Sequence, residues 1–281
     1  SLRTGLTLAG WPTLTAFTSS GAMDGSDPAY CGALSLYESG KSGNRSIDEA
    51  DLLLVTGIDP EIVDTLCDIS ATMVQVEVDP SAILTSRASH IGVNADPISF
   101  LQGLETDGGL WKDWMEKIKT TGDQLAQREK AASPETARLF EGIANGVHAD
   151  EIIVVDGPNT SRAANAFLRG VHCRSLFIMN NRDMAGPGLP FAMGAKLAVK
   201  DGPVTLITDK DSLYRHLQEL QTAVGLELDL RIIVADPGEG KNLSRTEAVL
   251  RGIGCEVKSL NPGQGPDVVK RTRPSAWLVK Q

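Results

Sequence analysis

The residues best placed for chemistry lie in LITDKDSLYRHLQEL, Leu206 to Leu220, where an apolar, β-branched run enters a helical pattern through the turn Asp209-Lys210-Asp211. A turn that grips a phosphate-bearing cofactor ordinarily uses glycines, because they let backbone amides approach the anion. Here two carboxylates flank an ammonium instead. His216, on the helix after the turn, is of a residue type that serves acid–base chemistry, although a helix-surface histidine is the commoner state. His90, His148 and His172 have no evident partners in the sequence. Ser161 and Ser212 lack a nucleophile-elbow context and read as helix caps. The loop Gly238-Glu-Gly-Lys241 is followed by Asn242 rather than Ser or Thr, so it is not a Walker-type phosphate loop.

Bulk properties narrow the classes further. The 281 residues carry 27 Lys+Arg against 36 Asp+Glu, a formal charge of −9. That balance opposes a nucleic-acid or anionic-membrane partner, which needs a concentrated positive field. Cys31, Cys67, Cys173 and Cys255 form no CxxC or Cys/His pair at metal-ligand spacing, so reduced, buried thiols are expected rather than zinc or disulfides. No stretch approaches the roughly 20 apolar residues of a membrane span, and the N-terminus has no basic-then-apolar leader pattern. A cytoplasmic protein is expected. The start at Ser1, with no initiator Met, points to processing or a longer parent chain.

These residues must be held by an α/β framework. Strands are expected at Leu6 to Ala9, Ala50 to Gly57 and Met73 to Val78, with a helix opened by Asp59-Pro60 and running to Cys67. Trp111, Trp114, Ile118 and Leu125 share one helix face and read as packing residues. Ser133 reads as the N-cap of a new helix with Glu135 in its first turn. Further strands are expected at Glu151 to Asp156, Ser175 to Met179, Val204 to Thr208, Leu230 to Ala235 and Ala276 to Val279, with helices at Ser161 to Leu168 and Ser212 to Val224. Such alternation predicts α/β architecture with two consecutive parallel-sheet domains. Their expected bounds are 1–105, a helical connector at 106–134, and 135–281.

Several stretches together carry a family resemblance. Ala50-Asp-Leu-Leu-Leu-Val-Thr-Gly57, Val74-Gln-Val-Glu-Val-Asp-Pro80 and Ile91-Gly-Val-Asn-Ala-Asp96 resemble the Rossmann-like central domain of thiamine-diphosphate enzymes of the acetolactate synthase and benzoylformate decarboxylase type. Gly21-Ala-Met-Asp-Gly-Ser-Asp-Pro28 adds to this likeness. Ala185-Gly-Pro-Gly-Leu-Pro-Phe-Ala-Met-Gly-Ala-Lys-Leu-Ala198, Gly202 to Ile207, Leu217 to Ala223 and Arg273 to Val279 resemble the diphosphate-binding domain in order and spacing. The resemblance implies decarboxylation or carboligation of 2-oxo acids, a lyase or transferase activity, with the cofactor as electron sink. It also implies that a pyrimidine-type domain supplies the activating glutamate. That domain has no counterpart in these residues, so the glutamate is expected either from a partner chain, in a homo-oligomer or a mixed assembly, or to be absent. An FAD or ADP site in the central domain is implied by analogy alone.

Aligned through Leu217-Gln-Glu-Leu220, the family's GDG positions fall on Asp209, Lys210 and Asp211, and its NN positions on Asp236 and Pro237. Mg²⁺ demands hard oxygen ligands, and Lys210 and Pro237 offer none, so no metal site is expected. Ala185 stands where relatives present a bulky Met or Leu, with Met184 adjacent, and Asn180-Asn-Arg-Asp183 precedes it. The resemblance thus places any remaining cofactor contacts on Ala185, Gly186, Gly188, Asp209, Lys210, Asp211, Ser212 and Asp236, with no catalytic residue. Lys210 either pairs with a cofactor phosphate in place of the metal or forms a salt bridge with Asp209, Asp211 or Asp236. Two functions follow: the central and diphosphate-binding portion of a split enzyme, or a non-catalytic structural or regulatory homologue.

Overall fold

In the six-stranded sheet of the second unit, continuous apolar runs form the inner parallel strands, which are buried along their whole length and so have no solvated side to alternate toward. The computed structural model describes residues 6, 10–34, 46–58, 70–85, 91–104, 111–168, 171, 175–179, 185–235, 244–261 and 274–279. Two compact units divide within one helix: residues 1–17 with 26–125, and residues 18–25 with 126–281. No helix among the described residues is long and apolar enough to cross a membrane.

In the first unit, β1 (Thr13–Thr15) pairs with β2 (Tyr30–Ala33), and β3 (Leu52–Thr56), β4 (Thr72–Glu77) and β5 (Ile91–Asn94) form a parallel sheet in that order. Leu34, Ile47, Val55 and Met73 make its core. Helices α1 (Pro80–Thr85) and α2 (Pro97–Gln102) follow strands, and Asp96 caps α2 by accepting from the Ser99 amide at 2.8 Å. The long helix α3 (Lys112–Ala132) buries Ile118, while Trp111 meets Trp11 edge-on at 5.7 Å and the Trp114 indole donates to Glu49. Trp111 therefore packs, as its spacing indicates, while the bond of Trp114 lies in an exposed setting. At the end of β4, Glu77 accepts the amide of Gly57 at 3.0 Å.

In the second unit, α4 (Pro134–Asn145) precedes a six-stranded parallel sheet. Its strands are β6 (Ile152–Asp156), β7 (Ser175–Met179), β8 (Val204–Thr208), β9 (Arg231–Val234), β10 (Glu256–Leu260) and β11 (Ser275–Val279), in the order β10-β11-β9-β8-β6-β7. Helices α5 (Pro158–Phe167), α6 (Gly188–Val199), α7 (Lys210–Tyr214), α8 (Leu217–Gly225) and α9 (Ser244–Ile253) complete it. Val154, Leu206, Leu220, Leu230, Ile232 and Ala276 lie in one core cluster. From β6 the chain steps outward to β7, and from β8 it steps the other way to β9. The strand order therefore reverses between β6 and β8, and crevices for ligands open at such points, beyond the strands' carboxyl ends.

Some expectations are corrected. The helix expected over Ser212 to Val224 is two helices, α7 and α8, broken at Arg215 and His216. The break packs against Gly186, which leaves room for it: a methyl added there would lie 3.2 Å from the Arg215 Cβ and 2.6 Å from the His216 ring. Helix α5 starts at Pro158 with Gly157 as its N-cap, so Ser161 is a buried interior residue rather than a cap. Ser133 does occupy the N-cap position of α4, but its side chain makes no capping bond. Leu6 accepts a helix-like bond from Gly10 instead of entering a strand, and residues 7–9 lie outside the described residues. The helix expected from Asp59 to Cys67 also lies outside them.

Candidate functional site

The register of β6 and β8 builds the site. Asp156 pairs with Thr208, so the residues that follow, Gly157 and Asp209, leave the sheet side by side at the reversal point. Met179 at the end of β7 stands in the same row, and the chain returns at Ala185 and Gly186 to start α6.

Asp156 is the central residue, and the sequence reading did not single it out. It is 1% exposed. Its Oδ1 accepts the Gly157 amide at 2.8 Å and the Gly186 amide at 3.2 Å, and its Oδ2 accepts Gly186 at 3.0 Å and Gly188 at 2.9 Å. Gly188 is glycine because a Cβ there would collide with the Asp156 side chain, and Gly186 holds φ +116°, a conformation other residues rarely adopt. Helix α6 begins after Pro187, which has no side-chain acceptor, so Asp156 supplies the missing N-terminal acceptor from another strand. The legible signal was an acid closing a β-branched strand thirty residues before a glycine-rich loop.

Burial pushes the Asp156 carboxyl above its ordinary value of 3.8, the three amides oppose that rise, and the neighbouring Asp209 charge adds to it. The folded protein therefore holds this proton at pH values where the unfolded chain has released it, and stability falls as pH rises through the window just above 3.8. Replacing Asp156 with Asn is expected to flatten that segment of the unfolding free energy against pH. Equal slopes in the two proteins would contradict the assignment.

Asp209, also buried, caps α7: its Oδ1 accepts the Ser212 amide at 2.7 Å, while its Oδ2 lies against the Gly157 backbone, where a Cβ would overlap it. Ser212 is thus the capped residue, not the cap. Its Oγ is buried, lies 3.0 Å from the Cβ position of Gly157 and has no hydrogen-bond partner. The Lys210 ammonium stands 3.6 Å from Asp211 Oδ1, whose side chain is exposed. Among the described residues, no group of three or more His, Cys, Asp or Glu side chains could hold a metal ion.

Of the residues singled out in the sequence, the structure brings together Gly186, Gly188, Asp209, Ser212 and His216, with Lys210 and Asp211 on the first turn of α7 and Ala185 at the start of the loop. His216 is half-buried against Gly186 rather than on a helix surface. Asp236, Pro237, the Gly238–Lys241 loop, Asn180 to Asp183, Met184, His90 and His172 lie outside the described residues. His148 is distant in role: its amide donates to Glu151 at the opposite, amino-terminal edge of the sheet. Cys31 and Cys255 are buried free thiols, and burial pushes the Cys255 thiol up to about 11; Cys67 and Cys173 lie outside the described residues.

Comparison with known proteins joins this geometry to a family. Residues 2–104 match the model described as "Thiamine pyrophosphate enzyme, central domain", and residues 157–240 match "Thiamine pyrophosphate enzyme, C-terminal TPP binding domain". The chain belongs to the thiamine-diphosphate-dependent enzyme family. It carries that family's central and C-terminal domains, and Asp156, which ends β6, lies one residue before the second match begins. Curated relatives include the acetolactate synthase isozyme 2 large subunit of Escherichia coli, 23% identical over 242 residues, covering 84% of this chain and 44% of the relative. The acetolactate synthase large subunit of Parasynechococcus marenigrum is 26% identical, with coverage of 80% and 38%. The sulfoacetaldehyde acetyltransferase of Rhodobacter capsulatus is 24% identical, with coverage of 76% and 42%. The chain thus spans less than half the length of these relatives. A solved structure assigned as a thiamin diphosphate-dependent enzyme of Mycobacterium smegmatis shares the fold, with a TM-score of 0.67 at 15% identity over 99% of this chain and 58% of that one.

A diphosphate at the head of α7 would meet the Asp209 carboxylate already bonded to the Ser212 amide, and a divalent cation would meet the Lys210 ammonium.

Proposed function

We propose that this chain is a non-autonomous, non-catalytic portion of a thiamine-diphosphate-type 2-oxo acid decarboxylase or carboligase assembly. It keeps the two-domain framework as a structural or regulatory subunit while its own diphosphate cradle is closed. The observation that supports this most directly is Asp209: one oxygen takes the Ser212 amide and the other lies against Gly157, so the turn carries its own anion. Lys210 turned toward Asp211 supports the same reading.

A second reading is favoured by the acetolactate synthase relatives, which extend over more than twice the matched length. In it, the chain is the central and diphosphate-binding part of a split enzyme, a partner or second subunit supplies the pyrimidine-type domain, and Lys210 pairs with a phosphate. The FAD or ADP proposal for the central domain rests on resemblance alone.

Calorimetric titration of the chain with thiamine diphosphate, with and without Mg²⁺, separates these readings. No saturable heat is expected. Saturable binding would overturn the closed-cradle reading and favour the split enzyme, for which a chain bearing a pyrimidine-type domain should then restore 2-oxo acid consumption.

A further inference from the structure

The geometry points to a self-occupied anion clamp in the second unit: the amides of Gly157, Gly186 and Gly188 form a site for a small oxyanion that Asp156 keeps closed from within. Three donors from two separated segments converge on one carboxylate at 2.8 to 3.2 Å. One of them, Gly188, is the first residue of a twelve-residue helix, whose first amides and dipole favour negative charge, and Gly186 stands just before its N-cap. Gly188 is needed for the approach of the carboxylate itself, since a side chain there would strike Asp156. A further group stands beside the clamp unused: the Ser212 hydroxyl, 1% exposed as a residue, reaches toward Gly157 and has no partner.

Asp156 does more here than end a strand. Its carboxylate is the same chemical group as a free formate or acetate, presented to the amides by β6, and it excludes any external anion by occupying every acceptor position. The contact is autoinhibitory in the plain sense that the binding groups are satisfied internally. This inference is independent of the closed cradle at α7. Thiamine diphosphate binding to the unaltered chain would defeat that reading and leave the clamp untouched.

Chemical rescue tests it. In the full chain, Asp156→Ala removes the carboxylate and leaves a space of about its size. Its melting temperature should fall below that of the unaltered protein, and sodium formate should raise it saturably by about 2–4 °C, a range typical of a modest binding contribution in a domain of this size. Sodium chloride at equal ionic strength should not. Asp156→Asn fills the space and should show no formate effect, nor should the unaltered protein. Inorganic phosphate acting as formate does would mark a general oxyanion clamp, and formate alone a carboxylate clamp. The proposal is overturned by no formate effect on Asp156→Ala, whether added to folded protein or during refolding. An equal effect on the unaltered protein or on Asp156→Asn overturns it too.

Discussion

Replacing Glu151 with Ala is expected to lower the unfolding free energy by about 3–5 kcal/mol, the usual cost of stranding a buried charge. Glu151 and Arg231 lie at the amino-terminal edge of the six-stranded sheet, 2% and 4% exposed. The Arg231 Nη2 and the Thr205 hydroxyl both donate to Glu151 Oε1 at 2.5 Å, and the His148 amide donates to Oε2. The register sets Thr205 beside Arg231 on adjacent strands, and the Arg231 side chain is buried there. Its Nη1 already lacks a partner. Removing the carboxylate therefore leaves a desolvated cation with nothing to balance it. The paired replacement Glu151→Leu with Arg231→Met should cost far less, because burying two apolar groups of similar size avoids both desolvation penalties. Equilibrium unfolding in urea measures both. A single variant that loses under about 1 kcal/mol, the level of an exposed pair, would refute the role given to this network.

Gly157→Ala should be nearly as damaging for a different reason. Gly157 has φ +100° and ψ 140°, a region that side chains avoid, at a cost of about 1–3 kcal/mol. An added methyl would also overlap Asp209 Oδ2 and approach Ser212 Oγ to 3.0 Å, and forced overlap in a packed region adds about 1–3 kcal/mol. Only the second part depends on Asp209. Asp209→Ala by itself loses an N-cap worth about 1 kcal/mol, but in combination with Gly157→Ala it removes the overlap. The double variant should then be more stable than the sum of the single losses implies, a coupling that a double-mutant cycle reads directly. Strict additivity would show that the two residues do not press on one another.

How much of this was legible in the sequence follows from which signals are local. The strands at 152–156, 204–208, 231–234 and 275–279 announced themselves as short apolar runs because each is buried along its whole length, and the edge strand at 175–179 did so through Leu176, Phe177, Ile178 and Met179. Strand β10, Glu-Val-Lys-Ser-Leu, did not: it lies at the sheet edge, and only Val257 and Leu260 are buried. The short β1 and β2 were equally silent, three and four residues with no flanking periodicity. At the site, the residue types of the α7 turn were readable, but the division of labour was not. Capping by Asp209 is a matter of backbone angles, and the break at His216 packs against a glycine thirty residues away. Asp156 looked like an ordinary strand end, and its importance appears only where its carboxylate takes the amides of Gly186, thirty residues on, and Gly188.

The bond between Asp156 and its three amides has a consequence for how the loop's order is maintained. An anion taken from solution holds a fold only in proportion to its concentration, and its help disappears on dilution or depletion. A carboxylate delivered by a neighbouring strand meets its amides at a fixed effective concentration. Glu77, bonded to Gly57 at the end of β4, offers the first unit the same constancy on a smaller scale. The ordering of these glycines is thus inherited with the polypeptide, present in every copy from the moment it folds and indifferent to the metabolite pools around it.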